Sequence, residues 1–425
     1  MPGEGVGAGP LTAHRDGAVQ PKRPGLERQF DVIVCGAGVA GIAAALETAR
    51  AGFRTALVEK TVTPGGLATS GLVWYYPPLC DAAGRQVTRG AAEELLRLSF
   101  RYGPGRRPDE PQDVGDAAAA VKSGAIFSPA AFVLALDEAL VEAGVGVWFD
   151  TLACEPILDG DRVVGVEVET KAGRGVFLAH CIIDATGDAD ISYRAGAVCE
   201  PGGNLLAIWA LQASLEAARK AVERNSGLPL QDLVLFGSNT TNAGGGTEKS
   251  WSGLDAESVT AFVLAGRAFL REHYAKLHAA AGASGRQDAF PVTLPSIAQF
   301  RTTRRIVGRA NLTGSEHDQH QPDSIGLVAD WLSPSNIWEV PYGTLVPTGI
   351  RGVLAAGRCI AASGHAWEVT RVFPGATLTG QAAGLAAVLA VRAGTTPDTV
   401  DVAALQEELA KKSIPYHLDH VRGPG

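Results

Sequence analysis

At 425 residues, the chain has room for two structural units, or for one large domain with a second inserted into it. Hydrophobic residues make up 46% of it and charged ones 19%, the composition of a globular protein with a sizeable buried core. The formal charge of −8 comes without blocks of like sign, so neither a nucleic-acid groove nor an anionic-membrane patch is expected.

The first 28 residues are rich in Gly and Pro and lack an apolar h-region, so they read as a disordered tail rather than a signal peptide. Order begins with the apolar run from Phe30 to Cys35, a strand. It meets the glycine turn Gly36, Gly38, Gly41, then an Ala-rich helix to about Gly52 and a second strand, Thr55 to Glu59. Residues 61–80 read as a Gly/Pro/Thr-rich loop, 89–101 as a helix and 103–125 as a loop. Ser128 and Pro129 open a helix over 129–143, Ser as cap and Pro in the first turn. Strands follow at 145–149, 162–170 and 175–178, with Asp159-Gly160 as a hairpin turn, and another at 181–184. Residues 205–224 and 255–282 read as helices and 237–254 as a loop. Strand grammar returns at 352–356, and a last helix is expected over 377–392. The longest apolar stretches, 31–51 and 376–392, are interrupted by polar residues and glycines, so no membrane span is expected. Six scattered cysteines with no CxxC spacing suggest buried thiols in a cytoplasmic protein, without a disulfide framework or a zinc site.

Gly36, Gly38 and Gly41 form GxGxxG in the context that gives the motif meaning. The first glycine permits a tight turn, the second lets backbone approach a pyrophosphate, and the third packs helix on strand. The helix N-terminus then offers free N–H groups to the phosphates. Glu59, ending the second strand beside Lys60, can accept hydrogen bonds from ribose hydroxyls and would repel a 2′-phosphate. Dinucleotide binding follows, but these residues alone do not choose between FAD and NAD.

Later segments choose. Glu59 to Gly71, with Gly65, Gly66, Thr69 and Ser70, is followed in order by Asp184 to Asp190, Arg301 to Gly308 and Pro341 to Gly384. Together these resemble the FAD-dependent oxidoreductases that share a nucleotide fold with fumarate reductases, succinate dehydrogenases and glutathione reductase. The resemblance runs over nearly all of 30–395 and is weakest in 200–295. It implies an α/β fold: a glutathione-reductase-like, Rossmann-type FAD-binding domain with an inserted α+β substrate or cap domain. The FAD domain is expected from 29–79, 126–200 and 341–395, the cap from 80–125 and 201–340, and a C-terminal helix and tail from 396–425. The resemblance also implies that Gly65, Gly66, Thr69 and Ser70 lie near the isoalloxazine. Thr186 and Gly187 would sit near the adenosine, Gly357 and Arg358 along the ribitol and pyrophosphate, and the helix with Gly380 and Gln381 would face the flavin edge. Residues 60–73 hold no His, Cys or Tyr, so non-covalent FAD is expected.

For catalysis, Arg371 could clamp a carboxylate or oxyanion beside the flavin, or could simply pair with Glu368. His365 could relay a proton or be a packing residue. Arg301, Arg304 and Arg305 could bind a carboxylate or phosphate, or form an ion-paired face. Glu316, His317, Asp318 and His320 read as a polar loop, with no metal expected. Trp74, Tyr75 and Tyr76 could line a pocket or fill the core. The expected activity is hydride transfer between a small organic molecule and flavin N5, by a dehydrogenase or oxidase. A C=C reductase, an NAD(P)H-dependent monooxygenase or a non-catalytic redox sensor are the alternatives; a homo-oligomer is compatible with the sequence.

Overall fold

The computed structural model describes residues 26–104, 124–237, 249–282 and 285–423. A five-stranded parallel sheet sets the frame, in the spatial order Val353–Ala355, Cys181–Asp184, Val32–Cys35, Thr55–Val58, Gly146–Trp148. Val32–Cys35 is buried at every residue, as a central parallel strand covered on both faces must be. The helix Val39–Arg50 follows it across one face and packs along Phe373–Ala393. That approach depends on missing side chains: a Cβ at Gly380 would collide with the Ala40 carbonyl, and one at Gly384 would lie 2.7 Å from the Ala44 carbonyl oxygen. Phe373–Ala393 is long and apolar enough to cross a membrane, but 89% of its apolar window is buried in the fold, which makes it a core helix.

A second sheet lies beside the first. Leu152–Asp159, Arg162–Thr170 and Gly173–Leu178 form an antiparallel meander, turned at Gly160 with φ of 63°, where glycine is needed. Leu26–Gln29 adds to it in parallel with Gly173–Leu178, so the end of the expected tail is a strand; its first 25 residues lie outside the described chain. The expected loops at 103–125 and 237–254 also lie largely outside it. The helix opened by Ser128 is Pro129–Glu142, and the Ser128 hydroxyl accepts the Ala131 N–H.

Over the cleft side sits a three-stranded antiparallel sheet, Asp232–Gly237, Ala207–Ser214 and Ala289–Thr293, backed by the helix Ala256–Ala280. The expected helix at 205–224 is therefore strand to Ser214 and helix only over Leu215–Glu223. Alternation decides this: Ile208 and Ala210 face Leu270 and Tyr274, while Trp209 and Leu211 join the main core. The last long helix starts at Phe373 rather than near Thr377, with Pro374 in its first turn. Two pieces expected in the cap pack into the nucleotide-binding core instead. They are the helix Ala91–Leu98, through Leu95 and Leu96, and the hairpin Ser324–Ala329/Ile337–Pro341, through Ile325 and Trp338.

Candidate active site

The glycine turn is built by collisions that only glycine avoids. Gly36 has φ of 103° and sits against the Ala185 carbonyl, while a Cβ at Gly41 would strike the Gly36 carbonyl. Gly38 differs: a Cβ there would meet nothing within 4 Å, because it faces an open cleft. That cleft holds about 410 Å³. Gly36, Gly38, Glu59, Lys60, Gly65, Gly66, Ser70, Thr186, Gly187, Gly357 and Arg358 all lie on its wall, gathered from four separate stretches of chain.

Glu59 braces the turn. Its Oε2 accepts the Ala37 N–H at 2.9 Å, and its Oε1 accepts the N–H and hydroxyl of Thr61, both at 2.9 Å. A carboxylate accepts about four such bonds, so capacity toward the cleft remains. Across the cleft, buried Asp184 holds the strand end by accepting from Thr186 and Ser192. Arg358 donates to the Gly187 carbonyl and to Asp188, both at 2.6 Å, and Thr303 donates to the same Asp188 oxygen at 2.6 Å. The arginine expected along ribitol and pyrophosphate is thus anchored to protein groups. Its partner Asp188 also lines the wall and was not singled out from sequence.

Several expected site residues do other work. Gly380 is a packing glycine, as Gly41 was expected to be and is. Thr69 donates to the Pro64 carbonyl at 2.5 Å and shapes the loop. Gln381 does not line the cleft: it accepts the Ala91 N–H and donates to Glu47, tying three helices together in the core. The part of its helix that reaches the cleft is the first turn, through Phe373 and Ala376. His365 lines neither this cleft nor the neighbouring pocket. Its Nε2 lies 2.5 Å from the buried Asp330 carboxylate, which pins the helix Gly364–Thr370.

A smaller, mainly apolar pocket of about 120 Å³ adjoins the cleft, lined by Leu67, Val73, Tyr75, Pro77, Trp209, Arg301, Trp331, Arg371, Val372 and Phe373. Leu67, Arg371 and Phe373 line both spaces. Arg371 is buried and paired with Glu368, its Nε 3.0 Å from the carboxylate. Of the three clustered arginines, only Arg301 faces the pocket. Arg304 stacks on Tyr193 and pairs with Asp190, and Arg305 pairs with Glu200. Tyr75 lines the pocket, whereas Tyr76 is fully buried and donates to the Ala92 carbonyl. Phe300 and Ser296–Ala298 complete the cleft wall with no motif to announce them.

The polar loop at 316–320 also resolves into particular contacts. Glu316 accepts backbone N–H groups of its own turn and Asp318 pairs with Arg422. His320 joins buried Glu339 and His417, whose ligand-capable atoms lie within 4.8 Å of one another. Glu339 there accepts the N–H groups of Gln321 and Leu418 and binds His417, clasping the C-terminal segment.

The family model described as "FAD dependent oxidoreductase" matches residues 31–207 and 208–409. The chain belongs to the FAD dependent oxidoreductase family. It is an oxidoreductase with FAD as cofactor. A thioredoxin reductase of Bacillus subtilis (strain 168) is 32% identical over 79 residues; the match covers 19% of this chain and only a quarter of that relative's length. Among solved structures, a geranylgeranyl bacteriochlorophyll reductase-like protein from Thermoplasma acidophilum superposes with a TM-score of 0.47 at 13% identity, covering 93% of this chain and 87% of the other. The 3-ketosteroid-delta4-(5alpha)-dehydrogenase of Rhodococcus jostii RHA1 does so with a TM-score of 0.38 at 13% identity, over 86% and 98%.

The cleft wall of this family member suits FAD. Gly38 leaves space where any side chain would intrude, and the Ser70 hydroxyl is buried on the wall with no protein partner. A dinucleotide supplies both the volume for the first and polar atoms for the second.

Proposed function

We propose that the chain catalyses hydride transfer between a carbon of a small organic substrate and N5 of non-covalently held FAD, as a dehydrogenase or oxidase. The observation that carries this reading is the seam between the two spaces: Leu67, Arg371 and Phe373 wall both the cofactor cleft and the apolar pocket. A substrate in the pocket would touch the cofactor across that seam. FAD, when bound, supplies the two-electron chemistry; the protein supplies position, charge and dryness.

Leu67, Val372, Phe373, Trp209 and Trp331 give the pocket apolar walls, which would keep a bound substrate from water. The first turn of Phe373–Ala393 meets the cleft through Phe373 and Ala376, so the positive end of the helix dipole would stabilise negative charge that develops there. Arg371, held by Glu368, is a positioned positive group at the same place. Burial raises the Tyr75 phenol above its ordinary value, so it keeps its proton at neutral pH and can donate but not abstract. Non-covalent attachment rests on the absence of His, Cys and Tyr from residues 60–73.

Anaerobic titration of the holoenzyme with a panel of small alcohols, amines and α-substituted acids tests the proposal. At least one member should bleach the flavin absorbance, more slowly when its reacting C–H carries deuterium. Bleaching by NAD(P)H alone, with the organic compound only speeding reoxidation by dioxygen, would instead mark a monooxygenase.

A further inference from the structure

Arg301 is the most unusual side chain beside the pocket. It is 5% exposed, and its Nη2 is buried without a hydrogen-bond partner. Its Nη1 donates to the Gln299 carbonyl at 2.6 Å. The position is built rather than accidental. The Asn204 side chain, itself buried, accepts the N–H groups of Arg301 and Thr302 at 2.6 and 2.9 Å. Gln299, two residues back, accepts the Trp209 N–H and donates to the Gly71 carbonyl, locking the strand to the flavin-side loop.

Charge counting sharpens the point. Three guanidiniums meet here, and the carboxylates beside them are committed: Glu368 to Arg371 and Asp188 to Arg358. Arg301 has only a carbonyl. Burial, then the like charges of Arg371 and Arg358, push it down to about 9, with Glu368 opposing, so at neutral pH it stays charged in a poorly solvated wall. An unpaired buried charge is costly unless something supplies the counter-ion.

We infer that the pocket takes a small organic anion, a carboxylate on an apolar body, with Arg301, which lines the pocket and whose Nη2 has no protein partner, as the group that binds the charge. The pocket offers about four water volumes of space, walled by Val73, Pro77, Trp209, Trp331 and Phe373, with two guanidiniums on its lining: Arg301, and Arg371, which is already paired with Glu368. The size fits a short or single-ring acid, and the walls fit its apolar part. Arg301 lines the pocket and not the cofactor cleft, so the charge it meets belongs to the substrate rather than to the dinucleotide phosphates. The inference rests on the proposal that this pocket is the substrate site, and names the substrate class for it.

Calorimetry on FAD-loaded protein tests it without turnover, using benzoate and its neutral isostere benzamide. Benzoate should bind, with benzamide at least tenfold weaker. Arg301→Gln should weaken benzoate tenfold to a hundredfold while leaving benzamide unchanged, and Arg301→Lys should recover part of the loss. Equal binding of acid and amide to the unaltered protein overturns the inference, even where the variants do not fold. Benzoate binding that survives Arg301→Gln also overturns it. Anion binding in a protein whose flavin no substrate bleaches leaves the subsite standing and removes only the hydride-transfer proposal.

Discussion

Asp188 shows how one side chain can join cofactor cleft and fold stability. Burial opposes its ionisation, but the Arg358 guanidinium, the Thr303 hydroxyl and Lys60 outweigh burial and hold its carboxyl below the ordinary 3.8. A carboxyl depressed in the folded state gives stability that is fully present above the unfolded pKa and is lost as pH falls through the folded one. Asp188→Asn leaves Arg358 unpaired in a part-buried wall and should cost roughly 2–4 kcal/mol at neutral pH. Denaturant unfolding between pH 6 and 3 should show the unaltered protein weakening at the acid end and the variant losing less; parallel curves would show that Asp188 titrates freely. This pair was half legible in the sequence. Arg358 stood out at a strand end, but its partner comes from a segment 170 residues earlier, and nothing local announces which carboxylate it meets. His365 stayed open between proton relay and packing for the same reason: only the structure brings Asp330 to it.

At the scale of elements, the glycines divide into those that fold the chain and those that leave room for a ligand. Gly384 belongs to the first kind, since a Cβ there would lie 2.7 Å from the Ala44 carbonyl oxygen and 2.9 Å from the Glu47 Cβ. Gly38 belongs to the second. Gly384→Ala should lower the melting temperature of the FAD-free protein, at about 1–3 kcal/mol for overpacking. Gly38→Ala should leave that melting temperature nearly unchanged and raise the FAD dissociation constant tenfold or more. Thermal scans without FAD and fluorescence titrations with it separate the two, and a Gly38→Ala protein that binds FAD normally would show that the cleft is not the dinucleotide site. The strand–turn–helix grammar around these glycines was readable because each step has a steric signature. Ala207–Ser214 was not, because its alanines favour helix locally and the sheet that claims it comes from residues further along the chain. The start of the last helix was readable in principle, from Pro374.

For the whole molecule, three of the four later motif-bearing segments supply the cleft wall, and the pocket beside it adds Arg301 from the fourth together with Trp209 and Trp331, which carry no motif. Trp209 and Arg301 come from the inserted part and Trp331 from a turn that packs on the main core. The cofactor half of the site is therefore legible in sequence, through glycines and strand ends whose spacing backbone geometry imposes. The substrate half is not, because apolar walls assembled from distant segments have no fixed spacing. We propose that the cleft holds FAD without a covalent bond. The most direct test is the visible spectrum of the purified, FAD-reconstituted protein before and after acid precipitation, with the supernatant analysed for flavin. One FAD per chain, released to the supernatant, is the predicted result. A protein that takes up no FAD, or one whose colour stays with the precipitate, would contradict it.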